Sequence, residues 1–241
     1  MTEILRVTDG DALALAGAEA FVATAKSAIA NHGKFTVALS GGSTPRKMHR
    51  MLSTEPLVNQ VEWDKVHVYW GDERSVPPDH PDSNYFMAKE TLLDHVPIPA
   101  SQIHRMKSED NPEVAATAYG KLLKAHFNPP DSRFDLILLG MGDDGHTASL
   151  FPHTTALNEQ NHRCTANYVP KLETWRITIT TRVINNASKV LFLVGGANKA
   201  QSLKQVLQGE HNPQTYPAQL ITPEYGELIW MVDAAAASLL E

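Results

Sequence analysis

Two rhythms alternate along this chain. Near-continuous apolar runs at FTVALS (35–40), DLILLG (135–140) and KVLFLVGG (189–196) have the character of strands covered on both faces of a parallel sheet. HVYWGDE (67–73) reads as another short strand, ending in polar residues. Between these runs apolar positions recur at helical spacing. One such stretch covers 11–31 and closes at Asn31-His32-Gly33, a C-terminal stop; another covers 45–53 and begins at Pro45, where proline is tolerated. Further helical stretches cover 83–96, 111–127 and ANKAQSLKQVLQG (197–209). WRITITTRVINNAS (175–188) alternates first and then turns helical. PAQLITP (217–223) reads as a final short strand before an alanine-rich helix ending at Glu241.

The recurrent order of apolar strand, glycine turn and helix predicts an α/β fold, an open and mostly parallel sheet with helices on both faces. No repeat, low-complexity linker or charge block divides residues 1–241, so one α/β domain is expected. Edge strands are free to run antiparallel, and the strand order is not legible. In such folds ligands sit beyond the C-terminal ends of the strands. The polar turns at those ends are therefore where chemistry is to be sought.

Composition narrows the field. A net charge of −6, with 11 neutral histidines, argues against a broad nucleic-acid surface while permitting a local basic pocket for an anion. The one cysteine, Cys164, has no partner for an internal disulfide and reads as a free buried thiol suited to a reducing compartment. The first twenty residues carry early acids and no long apolar core, so no secretion signal is expected. No stretch is expected to supply the apolar run of a membrane span.

Three turns carry candidate chemistry. In LSGGSTP (39–45), Gly41 and Gly42 let the backbone approach a ligand, Ser43 and Thr44 add hydroxyls, and the following helix turns its positive end to the site. The spacing is neither a dinucleotide fingerprint nor a Walker loop. An ordinary capped strand–helix turn would have the same composition. In Asp72-Glu73-Arg74, Arg74 suits a phosphate or carboxylate and Asp72 a water or an imidazole, although surface salt bridging fits equally. The third turn, GMGDDGHT (140–147), delivers His146 beside two aspartates. An imidazole titrates near pH ~6.5 when unperturbed, which suits a general base, although a lone histidine is more often structural. Arg176 and Lys199 are further candidates for substrate charge. Histidines 146, 153 and 162 form no close metal-ligand motif, the 143–144 pair lacks a calcium-loop frame, and no G-x-S-x-G elbow is present.

LSGGSTP (39–45), WGDERSVPPDHPDSNY (70–85), DLILLGMGDDGHTASLFP (135–152), WRITIT (175–180) and GGANKA (195–200), in that order, resemble the 6-phosphogluconolactonase family, related to the glucosamine-6-phosphate isomerases/deaminases. The resemblance covers roughly residues 10–235. It implies hydrolysis of 6-phospho-D-glucono-1,5-lactone in the oxidative pentose phosphate pathway by a cytoplasmic enzyme without cofactor or metal, on an isomerase/deaminase-like sheet. It implies no nucleic-acid, membrane or obligate protein partner. His146 matches the family's catalytic histidine and Asp72 the acid of the second turn. Gly41, Gly42, Ser43, Thr44, Arg74, Arg176 and Lys199 match residues lining the phosphosugar site.

The related deaminases carry an acid five positions after the loop histidine. Here that position is Phe151, which transfers no proton, so the departure favours the lactonase. A non-catalytic phosphosugar sensor would retain the cradle and cations but has no use for both His146 and Asp72.

Overall fold

The computed structural model describes residues 2–127 and 133–241. Six strands form one wholly parallel sheet: β1 (Thr2–Val7), β2 (Phe35–Leu39), β3 (Val66–Trp70), β5 (Leu136–Leu139), β8 (Lys189–Val194) and β9 (Glu227–Asp233), in the order β1-β9-β8-β5-β2-β3. A second sheet is antiparallel, in the order β4 (Asp72–Arg74), β7 (Thr174–Ile179), β6 (Cys164–Val169). The mostly parallel sheet with helices is the expected class, and no edge of the main sheet runs antiparallel.

Strands β2 and β5 are buried at every position, as two-faced coverage requires. Helix α1 (Gly10–His32) starts where Asp9 accepts the N–H groups of Asp11 and Ala12 through its side chain. It stops at Gly33, whose φ of 81° gives a left-handed cap. By length and composition α1 could span a bilayer: its most apolar 18-residue window has a mean hydropathy of 1.3. The expectation that no stretch approaches a span is thus corrected. The cause is alanine and leucine content, and the buried face (Leu13, Ala18, Phe21, Val22, Ala25) packs into the core.

Four other expectations change. Helix α2 (Ser43–Leu52) begins two residues before Pro45, which then occupies the third helical position. That N–H has no intrahelical acceptor, so proline costs nothing there. The single strand expected over 67–73 breaks at Gly71 into β3 and β4, which belong to different sheets. Gly71 donates its N–H to the Leu39 carbonyl (2.9 Å) and accepts that of Ile179 (2.9 Å), tying the two sheets at one residue. Residues 217–220 form a 3-10 turn, and the last strand is β9, an apolar run that follows. The expected terminal helix is a 3-10 turn over Ala236–Leu239. Helices α3 (Asn84–Thr91), α4 (Pro112–His126), α5 (Thr181–Ile184) and α6 (Ala200–Gln208) fall inside the predicted stretches.

The sheet order decides where function sits. Strands β8, β5, β2 and β3 are consecutive neighbours, so the turns at 195–199, 140–147, 40–44 and 71–74 gather along one edge.

Candidate active site

The turn after β5 does not lead into a helix. Residues 140–152 form a compact loop pinned by a Thr147–Leu150 bridge, with Ala148 at φ 47°. Within it the His146 Nδ1 lies 2.6 Å from Asp144 Oδ1, which also accepts the His146 backbone N–H at 3.2 Å. Phe151 stacks on the imidazole with ring centroids 4.0 Å apart. Gly142 is required by space, because a Cβ there would overlap the His146 ring and Asp144 Oδ1.

Burial opposes ionisation of Asp144, but the hydrogen bonds and charge of His146, with the Lys171 ammonium, outweigh it and hold the carboxyl well below the usual carboxylate range. Lys171 reaches Asp144 Oδ2 at 3.1 Å from the 3-10 turn between β6 and β7. An ionised Asp144 only accepts, so Nδ1 carries the imidazole proton and Nε2 is left as the basic atom.

Asp72 occupies a different place. Its Oδ2 accepts the Ser149 hydroxyl at 2.6 Å and its Oδ1 faces Asn84 Nδ2 at 3.3 Å. The carboxylate that meets the imidazole is therefore Asp144. Of the two roles expected of Asp72, an imidazole or a water, the imidazole contact is made by Asp144 instead, since DDGH places an acid two residues before the histidine within the same turn. Next to Asp72, buried Glu73 accepts from the N–H groups of Arg74, Asn84 and Tyr85 and from the Ser83 hydroxyl. Burial pushes its carboxyl above the usual range, against those bonds. Glu73 thus clamps both ends of the 74–85 loop.

Arg74 and Arg176 are direct cross-strand partners in β4 and β7. Like charges placed opposite one another destabilise a sheet. Burial and the Arg74 charge accordingly push the Arg176 guanidinium down. Arg74 donates to the Asp82 carbonyl and Arg176 to that of Trp175. Among the described residues neither forms a direct ion pair, and Asp72, Glu73 and Asp82 favour the Arg176 charge only from a distance. At the neighbouring turn Gly42 has φ 111°, and no side chain caps the first turn of α2. Its leading N–H groups are left for a ligand. Lys199 closes the 3-10 turn after β8, which Asp233 anchors by accepting the Gly196 N–H at 2.9 Å.

One cavity of about 360 Å³ brings together Gly41, Gly42, Asp72, Arg74, His146, Arg176 and Lys199. Of the predicted residues, Ser43 lines an adjoining groove and Thr44 lines neither. Asp144, Lys171, Asn84 and Ser149 join the predicted residues at the cavity or its hydrogen-bond network. Asp144 and Ser149 lie in the same loop as His146, in DDGHTAS; Lys171 and Asn84 are brought in by chain segments far away in sequence. A larger cavity of about 770 Å³ lies at the N-terminal ends of the strands, among Arg133, Arg163 and Arg182. Among the described residues its lining has no histidine or aspartate, and it sits at the end of the sheet where such folds do not bind substrate. Among the described residues no three His, Cys, Asp or Glu side chains converge as a metal site.

An open-sheet α/β protein whose strand-end turns bring an aspartate-held imidazole and several cations to one cavity has the layout of an enzyme for a small anionic substrate. Residues 8–230 match the glucosamine-6-phosphate isomerases/6-phosphogluconolactonase family, and the chain belongs to it. It is 48% identical over 218 residues to a 6-phosphogluconolactonase of a Nostoc species, covering 89% of this chain and 88% of that protein. It is 46% identical over 217 residues to one of a Synechocystis species, covering 88% of each. The solved 6-phosphogluconolactonase of Trypanosoma brucei superposes with a TM-score of 0.89 at 29% identity, covering 100% of this chain and 99% of that one.

Proposed function

We propose that this protein hydrolyses 6-phospho-D-glucono-1,5-lactone to 6-phosphogluconate in the oxidative pentose phosphate pathway, with His146 as the general base. The observation that carries the reading is the Asp144–His146 pair aimed into the cavity that also holds Arg74, Arg176 and Lys199. His146 Nε2 takes a proton from water as its oxygen adds to the lactone C1. The carbonyl oxygen becomes an oxyanion, which cavity cations and backbone N–H groups stabilise. Collapse re-forms the carbonyl and breaks the C1–O5 bond, and the imidazolium returns its proton to the departing C5 hydroxyl. Asp144 keeps the Nδ1 proton in place and stabilises the transient imidazolium.

The phosphate does not react. Held by the 41–44 turn and the Arg74–Arg176 pair, it is a remote handle whose binding energy orients C1 over the base. Asp72, bonded to Ser149, acts on the cavity floor and positions substrate or water. Phe151 leaves no second acid beside the imidazole, as a hydrolase without carbon-to-carbon proton transfer allows. The buried Cys164 thiol, pushed up by burial, stays out of the chemistry.

The test is lactone hydrolysis on substrate generated in situ, background-subtracted, with chelator present, comparing the parent with a folded His146→Ala variant. Rapid parent turnover lost in the variant is expected. No turnover above background rejects the lactonase and turns attention to amino-sugar deamination or simple phosphosugar binding. Equal turnover in both proteins removes His146 from its role.

A further inference from the structure

Beside the catalytic cavity runs a second cavity of about 420 Å³ that shares Gly42, Arg74 and Asn84 with it. Its walls carry four cations: Arg46, Lys47 and Arg50 from one side of α2, and Arg74 from β4. Lys47 pairs with Asp11 at 2.6 Å, and Asp82, the one acid among the described residues of the wall, is largely exposed. Among the described residues neither Arg46 nor Arg50 has a carboxylate partner. Concentrated, uncompensated positive charge is unexpected on a chain of net charge −6.

The lactone does not account for these cations. In the reading above, which this inference rests on for the phosphate at 41–44, the sugar extends from the cradle toward His146, away from α2. Arg46 and Arg50 line only the groove and His146 only the catalytic cavity, and the two meet at Gly42, Arg74 and Asn84 beside the phosphate turn. A group linked directly to that phosphate would enter it, and Arg46 and Arg50 would give it planar, charge-assisted donors.

We propose that the cradle and this groove together form a binding site for a pyrophosphate group, free or carried by a nucleoside diphosphate, which competes with the lactone. One phosphate takes the substrate's place at residues 41–44 and Arg74. The second lies between Arg46 and Arg50.

Calorimetric binding of inorganic phosphate, inorganic pyrophosphate and adenosine diphosphate tests this without turnover. Pyrophosphate is expected to bind the parent about tenfold or more tighter than phosphate. In Arg46→Gln/Arg50→Gln that ratio should fall to about threefold or less, with the KM for lactone unchanged. A control, Arg6→Gln/Lys189→Gln, removes two positive charges on the far edge strand and at the opposite end of β8 and should keep the parent ratio. Adenosine diphosphate weaker than pyrophosphate assigns the site to the free anion; equal or tighter binding assigns it to a nucleotide.

The proposal is overturned if the parent shows no preference for pyrophosphate, or if the double variant retains it. It is also overturned if the control loses the preference equally, or if the lactone KM rises in step with the pyrophosphate Kd. A preference that survives in a protein without lactonase turnover would keep the groove and reject the functional reading instead.

Discussion

Replacing Asp144 with asparagine keeps the shape of the loop and removes one charge from the reacting centre. In the parent the carboxylate touches the imidazole at 2.6 Å. Once His146 has taken the water proton, the two charge centres lie about 4 Å apart, worth about 4 kcal/mol at an effective dielectric of about 20. Solvent screens part of this, because the Asp144 side chain is 21% exposed, and Lys171 already offsets part of its charge. A loss of about 2 to 3 kcal/mol remains for a transition state carrying imidazolium character, or roughly 30- to 200-fold in kcat. An amide that turns its NH₂ toward Nδ1 also favours the wrong tautomer, which acts in the same direction. KM should change little, since the phosphate contacts are untouched. The assay is initial-rate hydrolysis with spontaneous opening subtracted, on protein whose thermal unfolding matches the parent. A folded Asp144→Asn variant within about threefold of the parent kcat would refute the assignment.

Other outcomes follow from the same geometry. Gly142→Ala puts a methyl group into the imidazole, so kcat should fall about 100-fold while the flexible ring yields and unfolding free energy drops by about 1 kcal/mol or less. Arg74→Met should lower kcat/KM about 10- to 100-fold by removing a charge-assisted phosphate contact. It should also leave denaturant stability equal or higher, because it relieves the cross-strand repulsion with Arg176; a clear loss of stability would contradict that reading. Buried His49, with Nε2 unpartnered, has its pKa lowered to about 3 by burial and the nearby Arg46 charge. The unfolded chain takes that proton near pH ~6.5, so the stabilisation is complete above that pH and is lost as pH falls toward 3. Between pH 8 and 5 the parent should therefore lose about 2 kcal/mol more unfolding free energy than His49→Gln, read from paired urea titrations. Parallel curves would reject this account.

The sequence made the parallel sheet legible because β2, β5 and β8 are buried on both faces and cannot afford polar interruptions. Strand β1 escaped notice for the opposite reason: TEILRV lies on the sheet edge, almost wholly exposed, and lacks an apolar run. Strand β9 is apolar, but PAQLITP just before it drew the assignment away to a proline-led segment that closes as a 3-10 turn. The candidate site was legible wherever a turn follows a buried strand directly, as with Gly41, Arg74, His146 and Lys199. Lys171 and Asn84 enter from separate segments, and only tertiary packing brings them to the cavity. Asp72 shows the limit of composition. An acid at a strand end was correctly placed in the cavity, yet its partner is Ser149, 77 residues away, rather than the imidazole.

The two-sheet arrangement explains how a buried fold supports a site crowded with cations. The central parallel strands, covered on both faces, are apolar throughout, so they cannot themselves present a pair of arginines. At Gly71 the chain leaves that sheet and pairs at once with β7, which turns Arg74 and Arg176 toward each other and toward the cavity. The repulsion between them is held in check on the other face by Glu73, whose bonds fix the start of α3 and the end of the 74–85 loop. The six-stranded sheet thus supplies the rigid turns for the proposed base and phosphate cradle, and Lys199. The antiparallel sheet supplies the arginine pair, at a distance fixed by one hydrogen-bonded glycine.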